Sequence, residues 1–169
     1  MTSRRAFLTA SMAAPLAACG SAEVQTFPTI AAAQAALETL LKTPHRTSAG
    51  WPLPQVLEHA AQSIEYSLSG FPQMKPAWFQ HTAGAAAFAA FDAMGKMRHS
   101  LTDPIPGAPA LAASALEPAV ARLAQAFSAF AAHRGRLYPH FAYGVLTNAD
   151  YERAHLMHLA NHWLEVVRA

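Results

Sequence analysis

Cysteine is nearly missing from this chain: among 169 residues there is one, Cys19. A single thiol cannot close an internal disulfide, so a small scaffold stapled by bridges is excluded. Charge is scarce too, at 13% of residues, with 12 basic against 10 acidic side chains. Sustained alternation of apolar and polar residues is absent and β-branched residues are sparse, which argues against a sheet. The one marked apolar run near the N-terminus, Ala6 to Ala18, is 13 residues long and too short to span a bilayer as a helix. Alanine, by contrast, is abundant, and alanine-rich faces let helices approach closely.

The N-terminus reads as an address. Arg4 and Arg5 form a charged region before the apolar run, and SRRAFL resembles a twin-arginine export signal. The tripeptide before Cys19, in LAAC, resembles a lipobox, in which the cysteine is lipidated and becomes the mature N-terminus. The expectation is therefore an export signal over residues 1–18, a tether over 19–28 and a helical domain over 29–169. Removing residues 1–18 takes away two arginines and no acidic residue, leaving ten basic and ten acidic side chains. A neutral mature domain has no electrostatic footprint for nucleic acid. It is expected in the cell envelope or periplasm, touching membrane only through its lipid anchor, with its oligomeric state open.

The rest of the chain follows helical spacing. Thr29 is placed to cap a first helix to about Lys42, with Ile30, Ala33, Leu37 and Leu40 on one face. A second helix, about Leu53 to Ser69, carries Leu53, Leu57, Ala60, Ile64 and Leu68, and Gly70 and Pro72 end it. A long crossing, Phe71 to Ala113, holds an extra helix from Ala77 to Met97 and then the proline-rich turn PIPGAPAL. Leu116, Val120, Leu123, Phe127 and Phe130 mark a helix over about 115–133 at bundle spacing. The last helix, capped by Thr147 or Asn148, is expected to run to the C-terminus. This is an all-α chain: a four-helix bundle with a long crossover containing an extra helix.

Three histidines crowd the last helix, in AHLMHLANHW. Leu156, Leu159, Trp163 and Val166 make its apolar stripe, and His155, His158, His162 and Glu165 repeat that rhythm one residue earlier, at the border of the core. His158 and His162 are four apart, a spacing at which two imidazoles on one face can grip a single cation. His59, one residue before the core residue Ala60, is the candidate third ligand. It lies six residues from the start of its helix, and His162 lies six from Arg168, so antiparallel packing would bring them to one height, each about 9 Å from its helix end. Three neutral imidazoles with open positions suit zinc, nickel or iron(II), and open positions mark catalytic sites. His155 competes as a ligand and otherwise supports the site from behind or lines its pocket. Gln55, Gln62, Ser63 and Tyr66 share the His59 face and are candidates to orient a ligand or line a groove. His140 reads as a loop residue holding its turn. His45, His81, His99 and His133 read as surface or turn residues, Asn161 as helix surface, and Trp51, Trp78 and Trp163 as core.

At these residues the chain resembles a known family. WPLPQVLEHAAQSIEY, Trp51 to Tyr66, is similar to the second-helix motif of DinB-like proteins, and His158 with His162 is similar to the fourth-helix HxxxH of that metalloenzyme superfamily. PIPGAPAL and PHFAYGVLTNADYERAH resemble one of its branches, domain-of-unknown-function family 1569, several of whose members carry export signals. The resemblance spans about Thr29 to Val167 and implies an up-down-down-up bundle with three histidines on a divalent metal in a cleft. Many relatives have adjacent histidines where this chain has Asn161 and His162. The function implied is that of an exported metal-dependent hydrolase or transferase acting on a small molecule. Export weighs against the thiol-dependent version, whose cofactors are cytosolic. The alternative is an envelope protein that binds a metal or small ligand without turnover.

Overall fold

The computed structural model describes residues 26–111 and 113–169. The expected export signal, Cys19 and most of the expected tether lie outside the described residues. The fold is mostly helical, with one very small sheet: α1 Ile30–Lys42, β1 His45–Thr47, α2 Leu53–Ser69, α3 Ala77–Phe79, a π-helical turn Gln80–Gly84, α4 Ala85–Met94, α5 Leu116–Ala132, α6 Asn148–Trp163 and β2 Val166–Arg168. No helix among the described residues is long and apolar enough to cross a membrane.

Local chemistry accounts for most of the boundaries. The Thr29 hydroxyl accepts from the Ala32 amide at the start of α1. Pro52 and Pro54 open α2, where a missing N–H costs nothing, and Gly70 closes it at φ 101°. Thr147, rather than Asn148, caps α6 in a reciprocal capping box with Asp150.

α2 lies against α5 and α6, and α1 against α5 and α6. Leu37, Leu57, Leu123, Phe127 and Leu159, from these four helices, are almost wholly buried in one core. A leucine so buried contributes roughly 1.5–3 kcal/mol relative to an exposed one. Arg122 of α5 ties the helices further: it forms a fork on the Glu65 carboxylate at 2.9 and 2.6 Å and also reaches Glu58. Glu58 and Glu65 are two turns apart on α2, so one guanidinium sets the rotation of the helix that carries His59.

The extra helix differs from the single span Ala77 to Met97. It is a composite whose middle is π-helical, and Gly95 ends it in the left-handed region at φ 62°. Gly84 sits at the end of the wide turn because a Cβ there would overlap the carbonyl oxygen of Ala142. Phe88 of α4 and Met97 beyond it form a second small cluster with Ala154 and Met157, fastening the crossover to the outer side of α6.

The C-terminal expectation needs a larger correction. α6 stops at Trp163, and the chain turns back and pairs with the connector after α1. Register is antiparallel, His45 to Arg168, Arg46 to Val167 and Thr47 to Val166, extended by bonds from Ser48 to Glu165 and from Ala169 to Pro44. Val166 and Val167 are β-branched, and an extended connector with free backbone groups offers them a ladder that continued helix would forgo. This clip ties the end of α6 to the start of α2.

Candidate metal centre

His59 projects from the second turn of α2, and His158 and His162 from successive turns of α6. The ring centres are 5.0 Å apart for His59 and His158, 5.2 Å for His59 and His162, and 4.9 Å for His158 and His162. One ligand nitrogen from each residue lies within 4.8 Å of the other two. The triad could hold a metal ion. The height match expected from a last helix running to Arg168 does not hold, because α6 ends at Trp163, one residue after His162; the end of α6 is instead tied to the start of α2 by the β1–β2 clip. At that clip Gly50, at φ 68°, leaves room for the Glu165 carboxylate.

The hydrogen-bond pattern around the rings fits a cation. His59 Nδ1 and both nitrogens of His162 are buried and have no partner among the described residues. A buried unpaired polar atom costs about 1–3 kcal/mol, so a ring with two of them is a poor way to fill a core. Trp51 meets His59 edge-on at 5.2 Å and restricts its ring. Burial holds the His59 imidazole down at about 4, aided by repulsion from His99, and the His162 imidazole at about 3. His158 is held well below the ordinary value by burial and then by its histidine neighbours. All three are therefore neutral near pH 7, the form that ligates metal.

A cavity of about 270 Å³ opens beside the triad, with His59 and His158 in its wall. Its lining also includes His140, Phe141 and Tyr143 from the loop before α6, and residues of the crossover between Met97 and Pro106. Asp103 is the one carboxylate in this lining and Lys75 the one ammonium.

The remaining candidates divide. His155 lines the cavity but lies outside the ligand set; it stacks on Tyr151 at 5.3 Å and its Nε2 lies 3.3 Å from the Ser67 hydroxyl. That hydroxyl donates to the Ile64 carbonyl, so Nε2–H donates to Ser67 and Nδ1 carries the lone pair. Ser63 lines the cavity, Gln62 is buried outside it, Gln55 is half-buried without a side-chain hydrogen bond, and Tyr66 packs on Phe71. His81 is exposed as expected, whereas His45 is a half-buried residue of β1, where the C-terminal strand pairs with it, and His133 is half-buried just past α5. Asn161 is buried rather than on the surface, its Nδ2 unpaired.

Two site residues escape a reading by periodicity. His99 lies in the extended crossover, its ring 4.7 Å from His158 and 5.0 Å from His162. His140 is 8% exposed and accepts from the Ala142 and Tyr143 amides on Nδ1, so its Nε2 carries the proton. It stacks on Tyr143 at 4.2 Å. Burial lowers the His140 and His155 imidazoles to about 3 and raises the Tyr143 phenol to about 12. Both histidines missed from the pattern sit in loops, where no spacing rule applies; for His140 the signal was its place among the aromatics of PHFAYG. Trp78, expected in the core, is 68% exposed, whereas Trp163 packs on Phe27 at 5.3 Å.

No curated protein and no solved structure matches the chain. Residues 21–169 match the protein family described as Protein of unknown function (DUF1569), and the chain belongs to that family.

Proposed function

We propose that the protein is an exported, lipid-anchored metalloprotein of the DinB-like superfamily. In this reading α1, α2, α5 and α6 form the superfamily's up-down-down-up four-helix bundle. His59, His158 and His162 hold one divalent cation, zinc, nickel or iron(II), for hydrolysis or group transfer on a small molecule in the adjacent cavity. The observation that carries the reading is the trio of neutral imidazoles with ligand nitrogens within 4.8 Å, those of His59 and His162 buried with unpaired nitrogens, beside a cavity that His59 and His158 line. A bound divalent cation supplies Lewis acidity and lowers the pKa of a water or thiol presented to it. The chain's own residues do the rest. Trp51 and the α6 turn orient the ligating rings, the Nε2–H of His140 offers a hydrogen-bond donor, and the crossover restricts access of water.

One observation favours a second reading, a binding protein without turnover: Asp103 is the lone carboxylate in the cavity lining, and burial holds the His140 and His155 imidazoles of that lining at about 3, too weakly basic to take up a proton near neutral pH. Elemental analysis of the purified chain tests the common ground. Stoichiometric zinc, nickel or iron is expected, and His158→Ala should lose it; metal retained undiminished by that variant would overturn both readings. A turnover screen with ester, amide and thiol substrates then separates them, since hydrolysis or transfer that disappears with the metal supports the enzyme.

A further inference from the structure

Four imidazoles, not three, gather at the metal centre. The His99 ring is 4.7 Å from that of His158 and 5.0 Å from that of His162, the same spacing the triad keeps within itself. Its Nδ1 lies 2.6 Å from the Ser100 carbonyl oxygen. A carbonyl only accepts, so Nδ1 carries the proton and Nε2 holds a lone pair. That Nε2 is buried and has no partner among the described residues. A surface histidine would give that nitrogen to water; here the lone pair is shielded next to two ring neighbours that are ligand candidates themselves.

We propose that His99 is a fourth nitrogen ligand of the cation held by His59, His158 and His162, delivered by the crossover segment instead of by a helix. The inference rests on the three-histidine reading above. His99 lies outside the set of nitrogens within 4.8 Å, so binding must draw its segment toward α6. The segment is suited to that: beyond Met97, which is buried against α6, Arg98 to Ser100 has no regular structure and Arg98 and Ser100 are exposed. Four imidazoles fill a tetrahedral zinc site and leave no exchangeable position, whereas six-coordinate nickel or iron(II) retains two. His99 thus decides whether a small molecule reaches the cation directly or only when this segment withdraws. The same segment continues into Asp103 and Pro104 in the cavity wall, so ligand in the cavity and His99 on the metal would compete.

Zinc is the probe, with the full chain and its His99→Ala and His59→Ala variants. X-ray absorption at the zinc edge is expected to count four imidazoles in the unmodified chain and three in His99→Ala. Competition with a chromophoric chelator should show zinc affinity falling in His99→Ala by more than the roughly tenfold to hundredfold that loss of an outer-shell partner costs. Three imidazoles in both proteins with equal affinity would overturn the fourth ligand and leave the triad standing. Failure of the unmodified chain to bind zinc, nickel or iron would instead overturn the triad reading itself. Unchanged circular dichroism and melting of metal-free His99→Ala verify its fold, and His99→Gln, which also lacks the imidazole, repeats the count should the alanine variant be unstable.

Discussion

His162 shows what a buried imidazole implies at the scale of one residue. At 1% exposure, with neither ring nitrogen paired, it can be kept only as the neutral form. The same holds for His59, His140, His155 and His158, each lowered chiefly by burial. The consequence for stability has a definite sign. Unfolded histidines take up protons near 6.5, whereas the folded ones resist until about 4 for His59 and about 3 for His140, His155 and His162. Below 6.5 the unfolded chain therefore binds more protons, and stability falls as pH falls. Each group contributes up to about 1.4 kcal/mol per pH unit across that window. Urea melts of the metal-free chain should show full stability above about pH 7 and a steep loss by about pH 5. A midpoint independent of pH over that range would contradict the burial of these rings.

Elements position the rings. α2 is held in rotation by Arg122 and in height by the β1–β2 clip, and α6 is held at its other end by the Thr147 capping box. The loop carrying His140 is fixed by bonds between His140 and Gly144 and abuts the π-helical turn at Gly84. Because the atom facing Gly84 is a backbone carbonyl, an added methyl has nowhere to go. Gly84→Ala is expected to destabilise by about 1–3 kcal/mol, the range for overpacking, and to shift the His140 loop; thermal melts and backbone amide chemical shifts of residues 139–144 would register both. An unperturbed variant would show that this contact is slack. The clip and the π-helical turn escape a periodicity reading because neither has a repeat: one pairs segments about 120 residues apart and the other is a widening that lies against a loop remote in the chain. The boundaries of α1, α2 and α5, by contrast, were legible from caps, glycine and four-three spacing.

For the whole molecule, a ligand that binds only the folded state adds stability that grows with the logarithm of its concentration above the dissociation constant. Zinc at a hundredfold excess over its dissociation constant should add about 2.7 kcal/mol, read as a rise in melting temperature that His158→Ala abolishes. The proposed lipid anchor at Cys19 has its own test: Cys19→Ser should move the protein from the membrane to the soluble fraction, and unchanged membrane association would refute the anchor. The helical class, the core faces and the pair His158 and His162 were determined by the sequence alone, because each rests on contacts within two turns of one helix and so leaves a short-range period. Folding in three dimensions decided the rest: that His59 meets the pair, that His99 and His140 join from loops, and that the tail leaves α6 for a strand. Those outcomes depend on burial and pairing between distant segments, where the deciding partner is remote in the chain and no local pattern records it.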